Sequence, residues 1–197
     1  MELILVRHGE TLWNREGRVQ GFSDIDLSEV GVFQARQLAL SLKAASISSI
    51  YSSPLNRALN TARIINEHHQ APIRIEPGLM EMDQGDFEGL TFRELMACEK
   101  NFMRKWISDP ASIQMPNGES FVEVQQRAWM VIEGIIEQSA NALIVSHNFT
   151  IAAILCKINE ISLAQFRTVC VDTASRTHIK FENGVASVAM FNRTEPS

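Results

Sequence analysis

Three apolar runs in this chain each stop at residues with chemistry to offer, and that repetition constrains the fold more than any other feature. Leu3-Ile4-Leu5-Val6 ends in Arg7-His8. Ile50-Tyr51-Ser52 leads into Ser53, Pro54 and, one turn later, Arg57. Leu143-Ile144-Val145-Ser146 ends in His147. Runs this short and this uniformly apolar suit strands buried on both faces, as in a parallel sheet. Helical spacing fills the intervals between them, so the order of elements reads as α/β. The expected architecture is three-layer αβα, with helices on both faces of a mostly parallel central sheet. In such a sheet the three runs open on one edge, at the carboxyl ends of the strands, where ligands bind. Two histidines and two arginines would then meet in one pocket.

The rest of the chain is read around that frame. Ser28 is an expected N-cap for a helix over 28–45, with Val30, Phe33, Leu38 and Leu42 near one face. A strand over 47–52 precedes a helix to about His68, with Pro54 in its first turn and Leu55, Leu59, Ala62 and Ile65 turned inward. A short strand covers 73–75. Thr91 with Glu94, and Ser120 with Glu123, are capping-box pairs, opening helices to about Trp106 and Gln138. A strand over 142–146 precedes a helix over 150–157. Asn183-Gly184 predicts a type I′ hairpin. The chain of 197 residues suits one domain over 1–197. The least regular stretch, about 80–117, is expected to form a small cap bordering the site.

Composition narrows the class. A net charge of −5 argues against a nucleic-acid partner, so any cationic pocket is a local arrangement. No stretch approaches the ~20 apolar residues of a membrane span, and the N-terminal run lacks a basic flank, so no membrane association is expected and the cytoplasm is the default location. Cys98, Cys156 and Cys170 have no metal-like spacing and read as core or near-core residues in a reducing compartment. His68-His69 read as solvent-facing, His178 as structural, and Arg127 as a buried salt-bridge partner.

Arginine beside a titratable histidine suits a phosphomonoester. Planar guanidinium groups match phosphate oxygens bidentately, and a neutral imidazole nitrogen is a nucleophile toward phosphorus. A carboxyl group could protonate the leaving alkoxide and then deprotonate water. The chain has no GxxxxGK[ST] loop and no evident cluster of acidic magnesium ligands.

The blocks LVRHGETLWN, QGFSDIDLSEVG, YSSPLNRALNTA, LMEMDQGDFEGLT, NGES and VSH, in this order, resemble the histidine phosphatase superfamily, which includes the cofactor-dependent phosphoglycerate mutases. The resemblance covers nearly the whole chain. It implies a phosphoglycerate mutase-like fold and a phosphohistidine intermediate, with no metal or cofactor required. It matches His8 to the nucleophile, Arg7, Arg57 and His147 to the phosphate pocket, Asn14 to a phosphate contact, and Gln20-Gly21 to a pocket-lining segment. Glu81 matches the catalytic acid/base, with Asp83 the next carboxyl in line. Glu119-Ser120 match a short block near the pocket. Asn148-Phe149 stand where the family often has Gly-Gly. An Asn148 backbone N–H can still face the phosphate, whereas Phe149 reshapes the space. Gln84 stands where an aromatic residue is common, and Asp172-Thr173-Ala174-Ser175 departs mildly from the family's Asp-Asn-Ala-Ser.

The expected function is hydrolysis of a small phosphorylated metabolite through phosphohistidine at His8. The alternatives are mutase-type phosphoryl transfer, disfavoured by the short interval between Glu81 and His147, and a non-catalytic phospholigand-binding module. A homodimer is left open.

Overall fold

The computed structural model describes residues 1–182 and 184–195. Strands β1 (Glu2–Arg7), β2 (Ser49–Ser52), β3 (Ile73–Ile75), β4 (Ala142–Ser146), β5 (Arg176–Glu182) and β6 (Val185–Arg193) form one six-stranded sheet in the order β3-β2-β4-β1-β5-β6. The pairs β3–β2, β2–β4 and β4–β1 are parallel, while β5 and β6 add antiparallel at one side. The helices are α1 (Leu12–Glu16), α2 (Glu29–Leu42), α3 (Asn56–Asn66), α4 (Phe92–Cys98), α5 (Lys100–Ser108), α6 (Phe121–Glu137) and α7 (Asn148–Ile158).

Period-two alternation splits the core into two layers. Leu3 and Leu5 of β1, with Ala142 and Ile144 of β4, pack against α6 and α7. Ile4, Val6, Leu143 and Val145 pack against Leu38, Ala39 and Leu42 of α2 and Ala58, Ala62 and Ile65 of α3. The three-layer αβα reading of the fold therefore holds. After β1 the chain goes to α2 on one face, and after β4 it goes to α7 on the other. The crevice between the carboxyl ends of β1 and β4 is thus a topological switch point.

Register brings the strand ends level. Val6 pairs with Val145, Val145 with Ser52, and Arg7 with Ser146. The His8 N–H donates to the Ser146 carbonyl at 3.1 Å and the Ser53 N–H to the Val145 carbonyl at 3.1 Å, continuing both ladders past the last strand residues.

Several sequence readings need correction. Leu38 and Leu42 of α2 are buried as expected, but Val30 and Phe33 are exposed, and the small residues Gly31, Ala35 and Ala39 complete the buried face. Pro54 precedes α3, whose N-cap is Leu55. The helix from Thr91 breaks at Glu99 into α4 and α5. Cys98 is exposed, whereas Cys156 is buried. A 3-10 helix, Leu163–Val169, was not anticipated. Asn183 of the expected type I′ turn lies outside the described residues, although Glu182 and Val185 do pair across it. Among the described residues, no single helix is long and apolar enough to cross a membrane.

Candidate active site

The strand ends supply the site. His8 follows β1 and is only 3% exposed. Its Nδ1 lies 2.7 Å from the Gly9 carbonyl. A carbonyl only accepts, so Nδ1 carries the proton and Nε2 keeps its lone pair. Burial, and then the charges of Arg57 and Arg7, push the His8 ring well below its ordinary pKa, so the neutral form is held.

His147, the N-cap of α7, is fully buried, and its ring centroid is 5.0 Å from that of His8. Its Nε2 lies 2.8 Å from the Ser53 hydroxyl, while its Nδ1 is buried with no partner. Burial, followed by Arg57, also holds it well below the ordinary histidine range.

Arg57 is fully buried in the first turn of α3. Its Nη1 donates to the Ser23 carbonyl at 2.8 Å and its Nη2 to the Gly21 carbonyl at 2.7 Å. No ion pair within the described residues accounts for this charge. Arg7 donates through Nη1 to the Val171 carbonyl at 2.5 Å. The Nε atoms of both arginines are buried and unpartnered. A buried guanidinium held only by neutral carbonyls retains its charge and a vacant donor, which is a place for an anion.

Glu81, 6% exposed, sits at the N-terminus of α7. The Phe149 and Thr150 N–H groups donate to its carboxylate at 3.3 Å each, and its own neighbour Met82 donates at 2.9 Å. Burial raises the Glu81 pKa, and the Met82 hydrogen bond, Arg57 and Arg7 oppose that rise. Asp83 does not reach the cavity. It spends its carboxylate on the Gly85 N–H, so Glu81 is the acid that the fold turns inward.

The cavity at this edge is about 250 Å³, and Arg7, His8, Asn14, Gln20, Arg57 and Glu81 contribute to its wall, together with Asn148 and Phe149. His147 and Gly21 are not in the wall and act from behind it: His147 against His8, and Gly21 through its carbonyl on Arg57. Gly21 has no room for a side chain, because a Cβ would sit 2.7 Å from the Gln84 nitrogen and 2.8 Å from the Met82 carbonyl oxygen. A wider groove of about 660 Å³ runs beside β3 and α6 but contains neither histidine of the strand ends. Among the described residues, no group of three or more His, Cys, Asp or Glu side chains is placed to hold a metal ion.

Support for these groups comes from hydrogen bonds among and behind the wall residues. The Asn14 side-chain oxygen accepts from the Thr11 N–H at 3.1 Å in a capping box, leaving its amide NH2 for the cavity, and Gln20 donates to the Thr11 hydroxyl at 2.6 Å. The Asn148 side chain accepts from the Val171 N–H at 3.0 Å and so braces the carbonyl that holds Arg7. Arg127 donates to the carbonyls of Gly78, Met80 and Glu81 at 2.8 Å each and to both oxygens of Glu119, one of which also holds the Asp83 N–H at 2.9 Å. Glu119 thus fixes the Glu81 loop from outside the cavity, and Ser120 caps α6. Ser53 and Arg127 were legible as signals, one a hydroxyl at a strand end and the other the one basic residue of α6.

A sequence profile described as the histidine phosphatase superfamily (branch 1) matches residues 3–194. Phosphoserine phosphatase 1 of Hydrogenobacter thermophilus is 35% identical over 184 residues, covering 92% of this chain and 87% of that protein. The "Probable phosphoglycerate mutase GpmB" of Escherichia fergusonii is 34% identical over 160 residues, 80% of this chain and 74% of that one. Among solved structures, Bacillus stearothermophilus YhfR superposes with a TM-score of 0.92 at 31% identity, covering 98% of each chain.

Proposed function

This chain belongs to the histidine phosphatase superfamily, branch 1, and from that premise we propose that it hydrolyses small phosphomonoesters through a covalent phosphohistidine on His8. The observation that carries the mechanism is the Nδ1–Gly9 hydrogen bond, which leaves the His8 Nε2 lone pair available in a ring kept neutral by burial. In the first step Nε2 attacks phosphorus in line, the ester P–O bond breaks, and Glu81 gives its proton to the departing alkoxide. Burial favours the protonated Glu81 that this step requires. In the second step water attacks the phosphohistidine, Glu81 takes its proton, and phosphate leaves with His8 restored. Arg7 and Arg57, both in the cavity wall, offset charge on the transferring oxygens. His147 supports His8 from behind the wall, and Asn14, Gln20 and Asn148 complete the phosphate surroundings.

We also read the chain as one domain in which residues 80–117 act as a small cap. The sheet takes strands from both ends of the chain, and Phe87, Leu95 and Met103 of that segment face the cavity. Mutase-type transfer remains the second reading, favoured by the similarity to the GpmB protein.

The test is a quench during turnover of an aryl phosphate. Wild-type protein is expected to carry acid-labile, alkali-stable phosphate on His8, and His8→Ala is expected to lose both the adduct and turnover. A wild-type enzyme that turns over without such phosphate overturns the covalent mechanism. Interconversion of phosphoglycerates without comparable hydrolysis overturns the hydrolase reading in favour of the mutase.

A further inference from the structure

Beyond the phosphate end, the cavity wall is apolar and aromatic. Phe87 and Phe102 meet edge to face with ring centroids 4.9 Å apart. One turn along α5 from Phe102, Trp106 lies 6.0 Å from Phe149. Phe149 is in turn held by Phe121 at 6.0 Å and Phe166 at 5.5 Å, so its ring is locked in place rather than free to swing aside. Leu95, Met103 and Met115 fill the remaining wall. The polar side chains that share it, Asn14, Gln20, Gln84 and Asn148, are neutral amides.

Cations are scarce away from the phosphate. Besides Arg7 and Arg57, the cavity is lined by one further cation among the described residues, Arg18. Arg18 is already engaged: its Nε lies 2.5 Å from Glu16 and its Nη1 donates to the Gly89 carbonyl at 2.8 Å. A second anionic group on a substrate would lose its water and meet a single cation, Arg18, already shared with the Glu16 carboxylate, a combination that disfavours binding relative to an uncharged group. An aromatic or branched apolar group loses nothing there and gains contact with rigid rings.

Resting on the phosphatase reading above, we infer that the organic part of the substrate is an uncharged apolar alcohol carrying a single ring or a short branched chain, seated against the aromatic wall of Phe87, Phe102, Trp106 and Phe149. The size limit follows from the 250 Å³ of space, part of which the phosphate occupies. This is below the ~300–1,000 Å³ of sites for drug-sized ligands. The preference differs from the phosphoserine that the Hydrogenobacter relative is named for, since phosphoserine carries a carboxylate and an ammonium.

The experiment compares kcat/KM of the wild-type protein on benzyl phosphate, O-phospho-L-serine and 3-phosphoglycerate, all of which release a primary alkoxide. p-Nitrophenyl phosphate reports whether the enzyme is competent. Benzyl phosphate is expected to exceed both anionic esters by at least about tenfold, the low end of what even one methylene decides in an apolar pocket. Equal or better use of phosphoserine or 3-phosphoglycerate by a competent enzyme overturns this inference and leaves the phosphatase reading standing. Failure on every ester, p-nitrophenyl phosphate included, overturns both. A second variant, Phe92→Arg, places a cation at the rim, where Phe92 is 56% exposed and can be replaced without disturbing the core. With thermal stability retained, the benzyl-to-phosphoserine ratio is expected to fall several-fold. An unchanged ratio shows that the ester group does not sit against this wall and overturns the assignment.

Discussion

Replacing Arg127 with Met tests whether the acid/base is positioned by a side chain that never touches the cavity's phosphate end. Arg127 makes five hydrogen bonds, three to the Gly78, Met80 and Glu81 carbonyls and two to Glu119. The paired side chains are 18% and 21% exposed. Breaking a buried pair by removing one partner costs about 3–5 kcal/mol, and partial exposure brings the expected loss to about 2–4 kcal/mol. At about 2–4 °C per kcal/mol for a chain of this size, Tm should fall by about 4–16 °C. The catalytic effect has its own signature. A small displacement of a reacting group can cost about 10²-fold, and only a poor leaving group needs the Glu81 proton. Turnover of an alkyl phosphate should therefore fall by about 10- to 100-fold in Arg127→Met, while turnover of p-nitrophenyl phosphate falls far less. Thermal unfolding by circular dichroism and steady-state kinetics on both esters measure the two effects. Arg127→Lys, which keeps the charge but not the planar fork, should recover part of the stability and little of the alkyl rate. A Tm within about 2 °C of wild type, or an equal loss on both esters, would refute the positioning role.

Glu81→Gln removes the proposed proton donor without removing volume. Its alkyl-phosphate kcat should drop by about 10²–10⁴-fold with a much smaller loss on aryl esters, and the alkaline limb of the wild-type pH–rate profile should disappear, because that limb reflects loss of the proton that burial helps Glu81 retain. A retained limb would assign it to another group. Stability should also respond to acid. His8 and His147 are held neutral when folded, chiefly by burial, so the unfolded chain binds more protons as pH falls below about 6.5. Each should then cost up to about 1.4 kcal/mol of stability per pH unit, until the folded ring itself protonates. Glu81, with its pKa raised, has the opposite sign: its contribution is present below the unfolded carboxylate value and is lost as pH rises through the folded one. Chemical denaturation at pH 7.5 and 5.5 should show a weaker acid dependence in His8→Gln than in wild type, and an unchanged dependence would contradict the neutral-histidine assignment.

The sequence determined the layers of this protein and which side chains stand at the ends of its central strands. Uniformly apolar runs must be buried on both faces, so LILV and LIVS had to be central strands, and whatever followed them had to emerge at the sheet edge. The capping boxes at Thr91 and Ser120 formed as their spacing predicts, because each needs only three residues to satisfy its orphan N–H groups. Local signals of this kind did not decide which face of α2 is buried, where the helix after Thr91 breaks, or that Cys98 lies outside the core. Those outcomes depend on which surface the sheet and the cap present to each element. The tertiary structure alone decided the register that levels Arg7, Ser52 and Ser146, the turning of Glu81 rather than Asp83 into the cavity, and the bracing of Arg7 through Asn148 and Val171. Each of these joins residues far apart in the chain, so its geometry is set by packing between elements and leaves no periodicity within any one of them.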